Sequence, residues 1–390
     1  MAQLSKVIFI GHRHYDAWFP PFGEDAWYLA GGHTGFIATH LKHFAPDVAI
    51  ESWRPDATVT HYTERTIQGV VCRVFPSRYV RPLGDVSVSL LHLLRQCVGH
   101  SDDLVIHYGG ITSIQFYYIL AAYASANRIV GNHLGETLRA KRHTLRSLPT
   151  RFLERHILPR THHFLCAGRT IAVELSKLGV KPEAMSFPEI GVDLAAFRPL
   201  DQAAARREIG LDTNKPLILY IGRADATKGL PELLEAMPAV ASKTGAGLIS
   251  VGCLEGDVYY KRVQEMSIRN WHQVPHHILP FFHNACDVLV RPAGIDRGPV
   301  SVGVNVIESM ACGTPVVSPT LTELPTYSRY QDIVGTPPGD NLADSIARVL
   351  KDGKRHRATS CREMVAPYSW PVWLGNLLAV YQGSTQRNLQ

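Results

Sequence analysis

Two α/β lobes of parallel strands facing a cleft are what this 390-residue chain predicts, and three observations carry that expectation. Short β-rich runs alternate with helical patterns along most of the chain, as in parallel sheets joined by crossover helices. The alternation falls into two series separated by IGVDLAAFRPLD at 190–201, whose proline and polar residues mark a linker. The length favours two or three domains over one.

The first series opens with KVIFIG (6–11) and a helix near THLKHF. DVAIESW (47–53), VVCRVF (70–75) and DLVIHYGG (103–110) follow, the last leading into a helix over 111–126. RIVGNH (128–133) and THHFLCAG (161–168) come next, with TIAVELSKLG as the closing helix. The second series pairs PLILYIG (216–222) with the helix PELLEAMPAVASK. GLISVG (247–252), HHILPF (276–281), DVLVRP (287–292) and TPVVSP (314–319) are its further strands. NLADSIARVLKDG reads as a helix with Asp344 in its first turn and Gly353 near its end. After SWP (369–371), WLGNLLAVYQ has helical periodicity and is expected to pack back on the first half. The expected division is therefore 1–195, 196–370 and a C-terminal helix over 371–390.

Composition excludes several classes. The chain is 45% hydrophobic and 19% charged, with mean hydropathy −0.04, which is ordinary globular composition. A net charge of +6 and a pI near 8.9 suit a phosphorylated ligand or acidic lipid and fall short of a nucleic-acid footprint. Seven scattered cysteines without a C-x-x-C pair point away from disulfide or metal frameworks and towards a reducing cytoplasm. MAQLSKVIFIGHRH is too short in apolar residues for a secretory leader, and IQFYYILAAYASA (114–126) is too short to span a bilayer. The pairs His12/His14, His162/His163 and His276/His277 are poorly spaced for a shared metal, so no metal is expected.

Two turns in the second series carry chemistry. In IGRADATKG (221–229) a strand ends on glycine, and Arg223 and Lys228 surround a helix start. Two cations beside free backbone N–H groups suit a diphosphate. In RPAGIDRGPVSVGVNVIESM, Gly294, Gly298 and Gly303 allow close backbone approach. The helix beginning near Val304, with Asn305 in its first turn, presents orphan N–H donors to phosphate oxygens. Glu308, one turn further, is a carboxylate in an otherwise apolar helix, suited to accept hydrogen bonds from a vicinal diol. GGHTG (31–35), between the first strand and first helix, is a tight turn that does not complete G-x-G-x-x-G.

Together these stretches resemble the retaining glycosyltransferases of the GT-B superfold, family-4 type. YIGRADATKGLPELLEA is similar to that family's donor-phosphate loop, and LSKLGVKPEAMSFPEIGVDLAAFRP to its interdomain segment. VIESMACGTPVVSP resembles its donor helix and following strand, and PYSWPVW its C-terminal Ser/Trp element. The resemblance implies a nucleotide-diphosphate sugar as donor, no required cofactor, and a catalytic set of His107, Arg223 and Lys228. Arg223 and Lys228 would hold the diphosphate, Glu308 the ribose hydroxyls, and Gly31 and Gly32 would close on the phosphate. His107, at the end of DLVIH, would contact the donor sugar beside the reacting carbon. The chain departs from the pattern where the first family glutamate is expected, since Val300 stands there. Either Asp296, four residues past Pro292, takes over that contact or the contact is lost. Thr322-Glu323 replaces a family Gly-Gly, so donor identity is left open.

With no convincing pair of carboxylates for a double displacement, same-face attack is expected, the leaving phosphate accepting the acceptor's proton. The acceptor, a glycan, lipid-linked or small-molecule hydroxyl, is expected at the aromatic loop HRHYDAWFPPFGEDAWYLAGG (12–32). Tyr15 and Trp18 there suit stacking on a sugar, and Asp16, Glu24 and Asp25 suit an amine or polyhydroxylated group. The basic, apolar-interrupted stretch 138–160 fits contact with the inner face of an anionic membrane. The competing readings are a nucleotide-sugar epimerase and a non-catalytic nucleotide-sugar-binding protein of the same fold.

Overall fold

The computed structural model describes residues 4–11, 25, 28–29, 33–80, 84–97, 104–108, 128–133, 155–156, 158–187, 191–292, 302–330 and 341–383. By its internal contacts the chain divides into one unit of Met1–Ile190 with Pro371–Gln390, and a second of Gly191–Trp370.

In the first unit the elements run β1 (Lys6–Ile10), α1 (His33–Phe44), β2 (Ala49–Asp56), β3 (Thr63–Ile67) and β4 (Val70–Pro76). They continue as β5 (Arg78–Val80), β6 (Gly84–Val86), α2 (Val88–Cys97), β7 (Leu104–Tyr108) and β8 (Arg128–His133). β9 (His163–Cys166), α3 (Arg169–Lys177) and β10 (Met185–Ser186) complete the series. The sheet order is β10-β9-β8-β7-β1-β2-β4-β3. Every neighbouring pair is parallel except β3 with β4. Parallel strands are covered on both faces, which is why β1 and β7 are near-continuous apolar runs. Ile8, Ile10, Trp53, Phe75, Leu90, Phe164 and Leu175 join in one core, each large side chain contributing about 1.5–3 kcal/mol. The antiparallel β3 was not expected from the sequence. Its TERTI alternates half-buried and exposed positions before a buried Ile67, and Gln68 and Gly69, both at positive φ (49° and 79°), make the tight reversal into β4.

The second unit runs α4 (Gln202–Glu208), β11 (Leu217–Ile221), α5 (Leu230–Thr244), β12 (Gly247–Val251), α6 (Tyr260–Glu265) and β13 (Arg269–Trp271). α7 (Leu279–Ala285), β14 (Val288–Val290), α8 (Val304–Ala311), β15 (Val316–Val317), α9 (Leu342–Asp352) and α10 (Lys354–Val365) follow. Its sheet, β13-β12-β11-β14-β15, is wholly parallel. Strand order reverses between β11 and β14, so the crevice beyond their carboxyl ends is the switch point where such sheets bind ligands. Asp201 and Asn341 cap α4 and α9, accepting from Ala204 N (2.8 Å) and Ala343 N (2.9 Å).

One expectation is overturned here. HHILPF is helical: a 3₁₀ turn over His276–Ile278 leads directly into α7, with Pro280 in the helix's first turn. Proline suits that position because its missing N–H has no intrahelical partner there. A six-residue apolar run does not separate strand from helix, and the strand of this region is the polar RNW segment, β13, at the sheet edge. The last helix, α11 (Trp370–Gln382), spans the division between the units, and its Tyr381 is buried. Among the described residues no helix is long and apolar enough to cross a membrane. The expected helix over 111–126 lies outside the described residues, as does 138–160 apart from 155–156 and 158–160.

Candidate functional site

β11 ends at the switch point and its exit is held rigidly. Gly222, at φ 151°, donates its N–H to Val251 O (2.9 Å), and the Tyr220 hydroxyl donates to Arg223 O (2.6 Å). Asp257 accepts from Ala224 N (2.7 Å) and Leu254 N (2.9 Å), tying this loop to the one after β12. The chain then makes a 3₁₀ turn, Ala226–Lys228, before α5. Arg223 pairs with Asp225 at 2.9 Å. The Lys228 ammonium is pushed down to about 8, first by burial and then by the charges of Arg291 and Arg223. Three cations therefore share this corner with the carboxylates of Asp225 and Asp257.

Arg291 was not singled out in the sequence, where it reads as the polar end of an apolar strand. It follows β14, on the other side of the switch point, and is buried. Its N–H donates to Val317 O (3.0 Å) and its guanidinium to Val302 O. Gly303 lies against it at φ 84° and ψ 133°, a combination open essentially to glycine alone. A Cβ at that position would overlap the guanidinium. Gly303 caps α8, and Val304 opens the helix with its first N–H groups unpaired by helix geometry. Asn305, expected to reach the donor, donates its side-chain amide to Ile221 O (3.0 Å) and so pins the helix mouth to the end of β11.

Glu308 is buried, and His276 bonds its Oε1 at 2.6 Å through Nε2. Burial alone would raise the carboxyl pKa, but hydrogen bonds and charge from His276 and His283 outweigh it and hold it well below the usual carboxylate range. His276 shows the reverse balance: burial lowers it, and Glu308 together with Asp193 raises it further than burial takes away. The carboxylate in an apolar helix thus has a histidine partner. In the sequence His276 is read only for its poor metal spacing beside His277, and its pairing with a residue 32 positions away is not visible there.

His107 stands in the first unit's core, fully buried on β7. Its Nε2 meets Asn132 Oδ1 at 2.7 Å, its Nδ1 meets the Tyr381 hydroxyl, and its ring packs 4.8 Å from Phe9. Burial pushes its pKa down to about 4, so it is neutral near pH 7. Both nitrogens being engaged, it acts as a hydrogen-bonded core residue in this unit. Asp25 is exposed and pairs with Arg65 of β3 at 3.4 Å, while that guanidinium lies 5.8 Å from the Tyr28 ring centre. Gly31, Gly32, Asp296, Tyr15, Asp16, Trp18 and Glu24 lie outside the described residues.

Comparison with known proteins agrees with this geometry. Residues 201–362 match the family described as "Glycosyl transferases group 1". A D-inositol 3-phosphate glycosyltransferase of Segniliparus rotundus is 27% identical over 323 residues, covering 75% of this chain and 69% of its own. Against two mycobacterial proteins of the same description the match spans only about half their length, 48% and 45%. Sucrose-phosphate synthase from Thermosynechococcus elongatus superposes with a TM-score of 0.68 at 20% identity, over 97% of this chain and 98% of its own. Anabaena HepE, in complex with UDP and glucose, gives 0.63 at 16% identity, over 97% and 100%. The fold is of the GT-B class, with two Rossmann-like lobes. Over residues 201–362 the chain is similar to the group 1 glycosyltransferases.

Proposed function

We propose that the chain moves a sugar, with retention, from a nucleotide-diphosphate sugar to a hydroxyl acceptor. The observation that carries this reading is the convergence of Arg223, Lys228 and Arg291 at the switch point beside the mouth of α8. An ammonium depressed by burial and then by two neighbouring guanidinium groups is unfavourable without an anion, and a diphosphate supplies one. Negative charge develops on that diphosphate as the glycosidic bond breaks, and fixed cations already in place stabilise it without reorganisation. Asp225 pairs with Arg223, and a phosphate at this corner competes for that guanidinium. HepE, with UDP and glucose bound, supports a uridine nucleotide as the first donor type to try. The inositol-phosphate description of the Segniliparus relative supports a small polyhydroxylated acceptor.

The test is turnover of a panel of UDP-, GDP- and ADP-sugars, with product anomers read by NMR. Wild type should hydrolyse one donor slowly and transfer from it with retained configuration. Arg223→Ala and Lys228→Ala should each lower turnover about a hundredfold or more. Near-normal rates in both variants, or an inverted product, would refute it.

A further inference from the structure

The ribbon of β5 and β6 has no part in the site described above. Its two strands pair only with each other, antiparallel, with Arg78 opposite Val86 and Tyr79 opposite Asp85. All three β5 side chains are exposed. Successive residues of a strand point to opposite faces, so both faces of β5 are wet. A two-stranded ribbon with one strand in that state is marginal in water.

What the ribbon exposes is apolar and basic. Among the described residues nine large apolar side chains are exposed, and three of them, Tyr79 (67%), Val80 (41%) and Val88 (79%), fall within ten residues here. Val88 opens α2, and His92 and Arg95, one and two turns further on the same side, are exposed as well. Arg78 pairs with no carboxylate among the described residues. Asp85 is the one acidic residue between 78 and 97.

We propose that this ribbon and the start of α2 are a docking surface for an anionic lipid bilayer, which they enter at the level of the headgroups. The proposal goes beyond the nucleotide-sugar reading and does not depend on it. A protein partner packs on one face of a strand and leaves the other wet, whereas the interfacial layer of a bilayer surrounds both. Tyrosine suits that layer because its ring is apolar and its hydroxyl polar. Val80 and Val88 add apolar area to bury there. The guanidinium groups of Arg78 and Arg95 pair with lipid phosphates.

The experiment is flotation of the full chain with vesicles of phosphatidylcholine alone and of an equal mixture with phosphatidylglycerol. Wild type should partition onto the mixed vesicles, and about tenfold more weakly onto the neutral ones, since each arginine at an anionic surface contributes about fivefold. Tyr79→Ser and Val88→Ser change exposed side chains and should each lower partition about fivefold or more. Arg78→Gln should lower it about fivefold on the mixed vesicles only. A polarity-sensitive fluorophore on Tyr79→Cys should shift to the blue with mixed vesicles, while the same probe on Val173→Cys of α3 should not; the seven native thiols are buried or half-buried. Wild type that stays behind when mixed vesicles float overturns the proposal, as does unchanged flotation of both serine variants. An equal blue shift at both probe positions also rejects it. So does a concentration-dependent dimer that Tyr79→Ser dissolves, which assigns the surface to a second copy. None of these outcomes bears on donor binding, so the nucleotide-sugar reading is tested separately.

Discussion

Lys228 gives the sharpest test of the diphosphate site, because its charge depends on whether an anion is present. In the ligand-free protein its pKa is pushed down to about 8 from 10.5, by burial and then by Arg291 and Arg223. A bound diphosphate favours the charged form and moves the pKa back up. Above pH 8 the free protein has lost the proton that the complex keeps, so binding must take one up and weakens as pH rises. From pH 7.5 to 9 the ligand-free protonated fraction drops about eightfold, and affinity should fall by the same factor, about 1.2 kcal/mol. The ligand's own second phosphate ionisation, near about 6, is complete before this window. Burial raises neighbouring Cys253 to about 11 and pushes Tyr220 far above the usual phenol range, so neither changes within it. Lys354 is also lowered to about 8 but bonds carbonyls at the end of α7. Lys228→Arg isolates the cause: a guanidinium does not titrate here, so its profile should vary less than about twofold. Calorimetry across pH 7–9.5 with UDP, GDP and ADP reads this directly. A flat wild-type profile, or a slope surviving in Lys228→Arg, would refute the argument that this lysine faces the phosphate.

Two structural predictions concern the same unit. Gly303→Ala must adopt a glycine-only backbone conformation and displace Arg291 from Val302 O, a combined cost of about 3–5 kcal/mol in urea melts; a loss below about 1 kcal/mol would show that the guanidinium relaxes freely. Lys354 donates from Nζ to the carbonyls of His283 (3.2 Å), Asn284 (2.9 Å) and Cys286 (3.1 Å), closing the C-terminus of α7. Lys354→Met should destabilise by about 2–4 kcal/mol by the same measurement, since it strands three acceptors, and a change under about 0.5 kcal/mol would reject that capping role.

Local patterns made much of this protein legible before any coordinates. The apolar runs LILYI, LISV and VLV are buried on both sheet faces, so each announces a parallel strand from a few consecutive residues. Arg223 and Lys228 were also visible, because a strand, a glycine and a helix start lie together in nine residues. HHILPF was misread for the same reason: periodicity in six residues does not fix the backbone, and the choice fell to packing of Phe282 and Pro280 in α7. β3 was overlooked because its pattern is that of a polar edge, with its register supplied by β4.

Chemistry that depends on long-range pairing was decided only by the tertiary structure. Arg291 becomes a third cation of the site because β14 lies beside β11 in the sheet, though the chain separates them by some seventy residues. Glu308 acquires His276, and His107 acquires Asn132 and Tyr381, through contacts 32, 25 and 274 residues apart. A sequence specifies which groups a segment carries, within the reach of a helix turn or a strand pair. What protonation state those groups adopt, and whether they face a ligand or the core, is set by burial and by partners that only folding brings within a few ångströms.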